Sequence, residues 1–280
     1  MQRVRLGNTR LTVSRLCFGT EPFTIKKGPD GMKSQGDLAP KEGGEVLRDA
    51  LRMGVNFWDT SDDYGTHPHV AEGVKLVRRR DVVVADKTNA LTFQEGEEAL
   101  EMALADLGTE YIDIMFLHNV PLRSIQRRDT SGRPYVSGNL QDRRGALKAF
   151  SEAKDRGLMR AVGLSTHSTT VLRETFEVPE IDVVCTTLNR VAANIVDGSL
   201  EEHIEAIKNL KEAGKGVYVI KILNAGRLRD EADSAIRFAL QFHDFIDSWN
   251  IGMYDTEDIE RNVRLFREVL GNQQRQSSTF

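Results

Sequence analysis

The chain has 280 residues, a formal net charge of −4, 40% hydrophobic residues and two cysteines, Cys17 and Cys185. That length suits one large domain whose core needs no disulfide or metal staple. So mild a charge excludes nucleic acid or an anionic membrane as an expected partner. Both cysteines lie in apolar stretches and are expected as buried thiols of a reducing compartment. The start "MQRVRLGNTR" has no signal-like core, and no apolar run approaches the roughly 20 residues of a bilayer span. A soluble, cytoplasmic protein is therefore expected.

In chain order, "VRLGNTRLTVS" (4–14) reads as a β-hairpin turning at Gly7–Asn8. Eight apolar or β-branched runs follow: 15–19, 55–59, 82–87, 112–118, 159–165, 182–188, 216–223 and 245–253. Each precedes a segment of helical period. In 92–108, Thr92 and Glu95 form a capping box, Leu100, Leu104 and Leu107 share a face, and Gly108 ends the helix. In 199–216, Ser199 and Glu202 do the same, with Gly214 at the close. Eight strand–helix units joined by right-handed crossovers close most simply into a (β/α)8 TIM barrel, entered through an N-terminal β-hairpin. An open doubly wound sheet would carry a glycine fingerprint after its first strand, where this chain reads "GTEPF". A single barrel domain over 1–280 is expected, with a polar, frayed tail over about 271–280. Two long loops, 21–40 and 119–143, follow strands and so belong to the C-terminal face, where barrel enzymes work. Arg127, Arg128 and Arg133 in the second loop read as a solvated charge run.

Polar residues close three successive runs: Asp59 the second, Lys87 the third and His118 the fourth, with Tyr64 in the turn beyond Asp59. Taken singly, these are an ion pair, a core histidine and a packing tyrosine. Together on neighbouring strand ends they form a candidate site. A free phenol has a pKa of about 10. A lysine ammonium beside Tyr64 is expected to lower that value, and Asp59 to keep the lysine charged. A histidine can orient a carbonyl oxygen. The set makes an acid for carbonyl reduction or a base for alcohol oxidation, with the hydride left to a nicotinamide cofactor.

The segments "WDTSDDYG", "ADKT", "YIDIMFLH", "GLMRAVGLSTH" and "IKILNAGRL" resemble those of the aldo-keto reductase family over nearly the whole chain. The resemblance implies NADP(H) across the barrel mouth and a small carbonyl substrate. It implies Tyr64 as proton donor, Asp59 and Lys87 as its tuning pair and His118 as the group orienting the carbonyl. It also implies cofactor contacts at Gly19, Thr20, Asp59, Ser165, Thr166, Cys185, Lys221, Leu223, Gly226 and Asn262. Thr166 and Cys185 replace the family's usual asparagine and glutamine. Gly252, Met253 and Asp258 stand where many NADP-dependent members carry Lys, Ser and Arg, so weakened NADP preference and use of NAD(H) are expected, with Arg261 as a substitute cation. Two rivals stay open. One is a cofactor-binding regulatory subunit of the same fold. The other is a metal-dependent barrel hydrolase or isomerase using His67, His69, His118 and His167. Substrate, direction of reaction and oligomeric state are not legible in the sequence.

Overall fold

The computed structural model describes residues 1–27, 33–128 and 132–277. Eight parallel strands close a barrel: β1 (Leu16–Gly19), β2 (Phe57–Asp59), β3 (Val83–Thr88), β4 (Ile112–Leu117), β5 (Met159–Thr166), β6 (Val183–Thr187), β7 (Gly216–Ile220) and β8 (Ser248–Gly252). The helices that follow them form the sheath: α1 (Pro40–Arg52), α2 (His67–Lys75), α3 (Phe93–Leu107), α4 (Arg144–Asp155), α5 (Thr169–Thr175), α6 (Leu200–Glu212), α7 (Ala232–Leu240) and α8 (Thr256–Ser277). The expected (β/α)8 barrel is what the chain forms. Both expected capping boxes are made: Thr92 and Ser199 each accept the backbone N–H three residues on, at 3.2 Å.

Strand alternation divides the core. Cys17, Phe57, Ala85, Ile114, Phe116, Cys185 and Tyr218 fill the lumen, while the residues between them pack against the helices. The N-terminal hairpin, Arg3–Arg5 paired with Thr12–Ser14, plugs the lower end with Leu6, Leu11 and Val13. Its turn does fall at Gly7–Asn8, where Gly7 has φ +52°. A Cβ there would lie 2.2 Å from the Gly216 nitrogen, so the plug seats only with glycine. Gly163 has the same role in the lumen, where a Cβ would meet the Phe116 ring at 2.3 Å.

A shared device starts the even-numbered strands. An aliphatic residue followed by Asn or Asp stands at or just before the start of each: Val55-Asn56, Ile112-Asp113, Ile181-Asp182 and Ile246-Asp247. The polar side chain then accepts a backbone N–H at or just before the preceding odd strand. The donors are Ser14 (2.7 Å), Val84 (2.9 Å), Val162 (2.8 Å) and Val217 (2.9 Å). Asp113, Asp182 and Asp247 also face cations, Arg79 and Arg160, Lys154, and Lys211 respectively. These links pin strand pairs in register at the end of the barrel opposite the catalytic residues.

One expectation needs correction. The segment 271–280 is not frayed from its start, because α8 continues to Ser277; residues 278–280 lie outside the described residues. The two long loops each contain a β-ribbon, Ile25–Lys27 with Lys33–Gln35 and Ile125–Arg128 with Pro134–Ser137. Short ribbons satisfy their own backbone groups, which lets both segments stand over the mouth without support from the main sheet.

Candidate active site

Register places the first two polar residues. Asp59 ends β2 level with Gly19 and Ala85 on its two neighbours, and Lys87 lies two residues higher on β3. Both are buried, and Lys87 Nζ stands 2.5 Å from Asp59 Oδ1 and donates to the Thr60 carbonyl at 2.7 Å. The second carboxylate oxygen accepts the Tyr218 hydroxyl at 2.6 Å. Burial alone would drive the Lys87 ammonium towards neutrality, but the Asp59 charge outweighs it and holds the pKa above its ordinary value.

Tyr64 sits in the turn that leaves β2. Its N–H donates to the Ser61 carbonyl at 3.2 Å, its carbonyl accepts the Thr24 hydroxyl, and Gly65 at φ +71° ends the turn. The half-buried phenol ring lies with its centroid 5.2 Å from Lys87 Nζ, and the His118 ring stands edge-on to it at 6.0 Å. Four groups from three chain segments therefore share the C-terminal mouth.

The electrostatics correct one expectation. The Tyr64 phenol is pushed well above its ordinary pKa by burial first, and then by Glu21, Asp59 and Asp63. The nearby Lys87 does not bring the phenol below its ordinary value. The resting group is a neutral phenol that still carries its proton. His118 is held well below its usual range by burial first, then by Lys87, Arg143, Lys221 and His167, so its imidazole is neutral. Although part of its surface is exposed, Asp62 is pushed up to about 7 by the desolvation of its carboxyl first and then by Asp86.

The residues expected to hold a cofactor divide into three groups. Ser165 and Cys185 are paired in register on the lumen side of β5 and β6. Ser165 Oγ accepts the Asn119 N–H at 2.7 Å, and burial pushes the Cys185 thiol up to about 12. Thr20 and Thr166 serve the framework: the Thr20 hydroxyl donates to the Asp59 carbonyl at 2.9 Å, and that of Thr166 to the Val120 carbonyl at 2.7 Å. Thr166 follows the lumen-facing Ser165 and so falls on the opposite face of the strand. Gly19 ends β1 beside Asn250. Lys221, Asn224, Ala225 and Gly226 all have positive φ in the turn around Leu223, and three of these are non-glycine residues under strain. Asn262, fully buried on α8, leaves both amide atoms without a hydrogen-bond partner. Asp258 Oδ1 faces Arg261 Nη2 at 2.9 Å and its Oδ2 accepts the Tyr254 N–H at 3.0 Å. The expected substitute cation is thus already neutralised.

The histidines of the metal reading do not converge. His67 lies between Asp86 and Asp106, each at 3.1 Å, His69 Nε2 faces the Leu38 carbonyl at 2.8 Å, and His167 Nδ1 faces the Asn194 carbonyl at 3.0 Å. One ligand atom each from Asp62, Asp63 and His118 does fall within 4.8 Å of the others, but Ser61 already joins Asp63 to His118. Burial would lower the His67 pKa, but the two carboxylates raise it from 6.5 to about 9. A raised value means stability that is complete below pH 6.5 and lost as pH rises through about 9. Wild type should therefore lose up to about 3 kcal/mol of unfolding free energy across that window. His67→Gln should lack this dependence, as read by urea denaturation at each pH.

Sequence reasoning missed Tyr218, Ser61 and Arg143. Tyr218 was legible only as an aromatic in a buried strand. Arg143, fully buried, donates to the Gly138 and Thr88 carbonyls and adds positive charge near His118.

The chain is 25% identical to "L-galactose dehydrogenase" of Arabidopsis thaliana, the match covering 81% of this chain and 66% of that one. It is 24% identical to "NADH-specific methylglyoxal reductase" of Escherichia coli, covering 81% and 69%. It thus spans about two thirds of the length of these curated relatives. Among solved structures, the aldo-keto reductase AKR11C1 from Bacillus halodurans in its holo form superposes with a TM-score of 0.71 at 20% identity, over 95% of this chain and 90% of that one. The family model described as "Aldo/keto reductase family" matches residues 15–273, and the chain belongs to that family.

Proposed function

We propose that the barrel mouth binds a nicotinamide cofactor and that the protein interconverts a small aldehyde or ketone with its alcohol, Tyr64 carrying the proton. The observation that carries this reading is the buried Lys87–Asp59 pair at 2.5 Å beneath a phenol and a neutral imidazole. A bound nicotinamide supplies the hydride that none of these side chains can carry. Tyr64 holds a proton at Oη, ready for an oxygen on which negative charge develops. Lys87 keeps a positive charge beneath that phenol, and Asp59 keeps Lys87 charged. His118 orients the reacting oxygen.

The residues fit the cofactor at two points: the unpartnered Asn262 amide suits a heterocycle with donors and acceptors, and Ser165 lines the lumen near the mouth. For the 2′-phosphate the fit is poor. Asp258 would repel it and already neutralises Arg261. We expect kcat/KM with NADH to equal or exceed that with NADPH, and a tenfold preference for NADPH would reject this. The named activities of the two relatives, one a dehydrogenase and one an NADH-specific reductase, agree with the reading. The direct test is a screen of NADH and NADPH oxidation over aldehydes, ketones and sugars; the absence of turnover with every class would defeat the proposal.

A further inference from the structure

Of the three arginines that read as a solvated run, only two are solvated. Arg128 is exposed and donates to the Gly132 carbonyl at 2.7 Å, and Arg133 is exposed too. Arg127 is half-buried. In the second ribbon it pairs with Tyr135, and Ile125 pairs with Ser137. Cross-strand partners and residues two apart share a face, so these four side chains lie on one side of the ribbon. Ser137 marks that side as the inner one. It is fully buried, and its hydroxyl donates at 3.2 Å to the carbonyl of Asn119, the residue after His118. The Arg127 side chain therefore faces the mouth. It lies close enough to His167, just past β5, to join burial and Lys221 in lowering that imidazole to about 4. Tyr135 keeps its proton beside it, since burial raises the phenol further than Arg127 lowers it. Asp62 and Asp63 are felt at Tyr135, but neither pairs with Arg127. The Arg127 side chain makes no ion pair or hydrogen bond among the described residues, and its Nε is buried.

We propose that Arg127 holds the carboxylate of a carbonyl acid, so that the substrate is an oxo acid or an aldehyde acid and not a neutral aldehyde or sugar. This rests on the function proposed above and names the substrate class of the same mouth. A guanidinium stays charged at every working pH, and its planar fork matches a carboxylate through two parallel N–H···O bonds. Half-burial removes part of its water, which strengthens its attraction for an anion. Lys221 also bears on His167, but it stands in the turn after β7 that is expected to meet the cofactor. The inner face of the ribbon thus offers one cation, which suits a singly charged group, with Ile125 beside it for the carbon chain. The carboxylate takes no part in the reduction: hydride and proton go to the carbonyl carbon and oxygen, and the acid stays ionised.

The test compares 4-carboxybenzaldehyde with its methyl ester, which keeps the ring and the aldehyde and lacks the charge. Wild type should show a KM for the acid about tenfold or more below that for the ester. Arg127→Gln should raise KM for the acid by about 10–100-fold, the range for a charge-assisted hydrogen bond. KM for the ester, kcat, and NADH affinity by fluorescence titration should stay nearly unchanged. Arg127→Lys should recover part of the loss, and Arg128→Gln, on the outer face, should change nothing. Equal KM for acid and ester in wild type overturns the proposal, and so does an equal rise for both in Arg127→Gln. Weakened NADH affinity in Arg127→Gln would give the guanidinium to the cofactor's pyrophosphate and overturns it too. Benzoate titrated calorimetrically into the protein in the presence of NAD+ needs no turnover. It should bind wild type about 10–100-fold more tightly than Arg127→Gln, and equal or absent binding overturns the proposal. Absence of all turnover beside that benzoate difference would defeat the proposed function and leave the anion site standing.

Discussion

Tyr64→Phe is expected to lower turnover by about 10²–10⁴-fold, the range for loss of a positioned acid–base group, with cofactor affinity nearly unchanged. The phenylalanine ring keeps the packing against His118 and over Lys87 and loses only the hydroxyl. Because burial and nearby acids hold the phenol protonated, the missing proton should be felt in carbonyl reduction at every pH where the protein is folded. The measurement is kcat by cofactor oxidation beside a fluorescence titration of cofactor binding. Turnover within a factor of three of wild type would mean that another group delivers the proton.

Lys87→Met should be the most destabilising substitution at the mouth, by about 3–5 kcal/mol, because it strands the Asp59 charge in a buried site. The Tyr218 hydroxyl donates one hydrogen bond to that carboxylate and cannot replace a full positive charge. Asp59→Asn added to Lys87→Met removes the stranded charge, so the double variant should recover much of the lost stability while remaining inactive. Urea denaturation curves of the wild type, both single variants and the double variant test this as a cycle. If Lys87→Met matched wild-type stability, the pair would not be the buried ionic unit that its 2.5 Å separation describes. Stability and turnover separate here, which distinguishes a structural ion pair from one that also tunes the phenol.

The turn 60–65 illustrates how far local reading extends. Asp59 and Tyr64 were identifiable because a strand end followed by a short turn places both at one rim of a barrel. Asp62 and Asp63, in the same turn, carry no local sign of a role, and Asp62 is exposed. Asp63 reads differently once His118, 55 positions later in the chain, is seen to share Ser61 with it. Tyr218 was missed for a related reason. Nothing in "GVYVI" distinguishes an aromatic that packs from one whose hydroxyl meets a carboxylate 159 residues away in sequence. The direction of the Tyr64 pKa was misjudged because the lysine was weighed without the burial of the phenol and without Glu21, which only the fold brings near it.

What the sequence determined by itself is the set of strands, their order and which residues close them. Period-two and period-3.6 hydrophobicity and capping boxes are local signals, carried within a few residues. Parallel strands joined in order then leave little choice of architecture. Only the tertiary structure decided charge and protonation: which ammonium is held charged and which phenol keeps its proton. Those properties depend on burial and on partners brought from distant segments, and a chain read in one dimension contains neither.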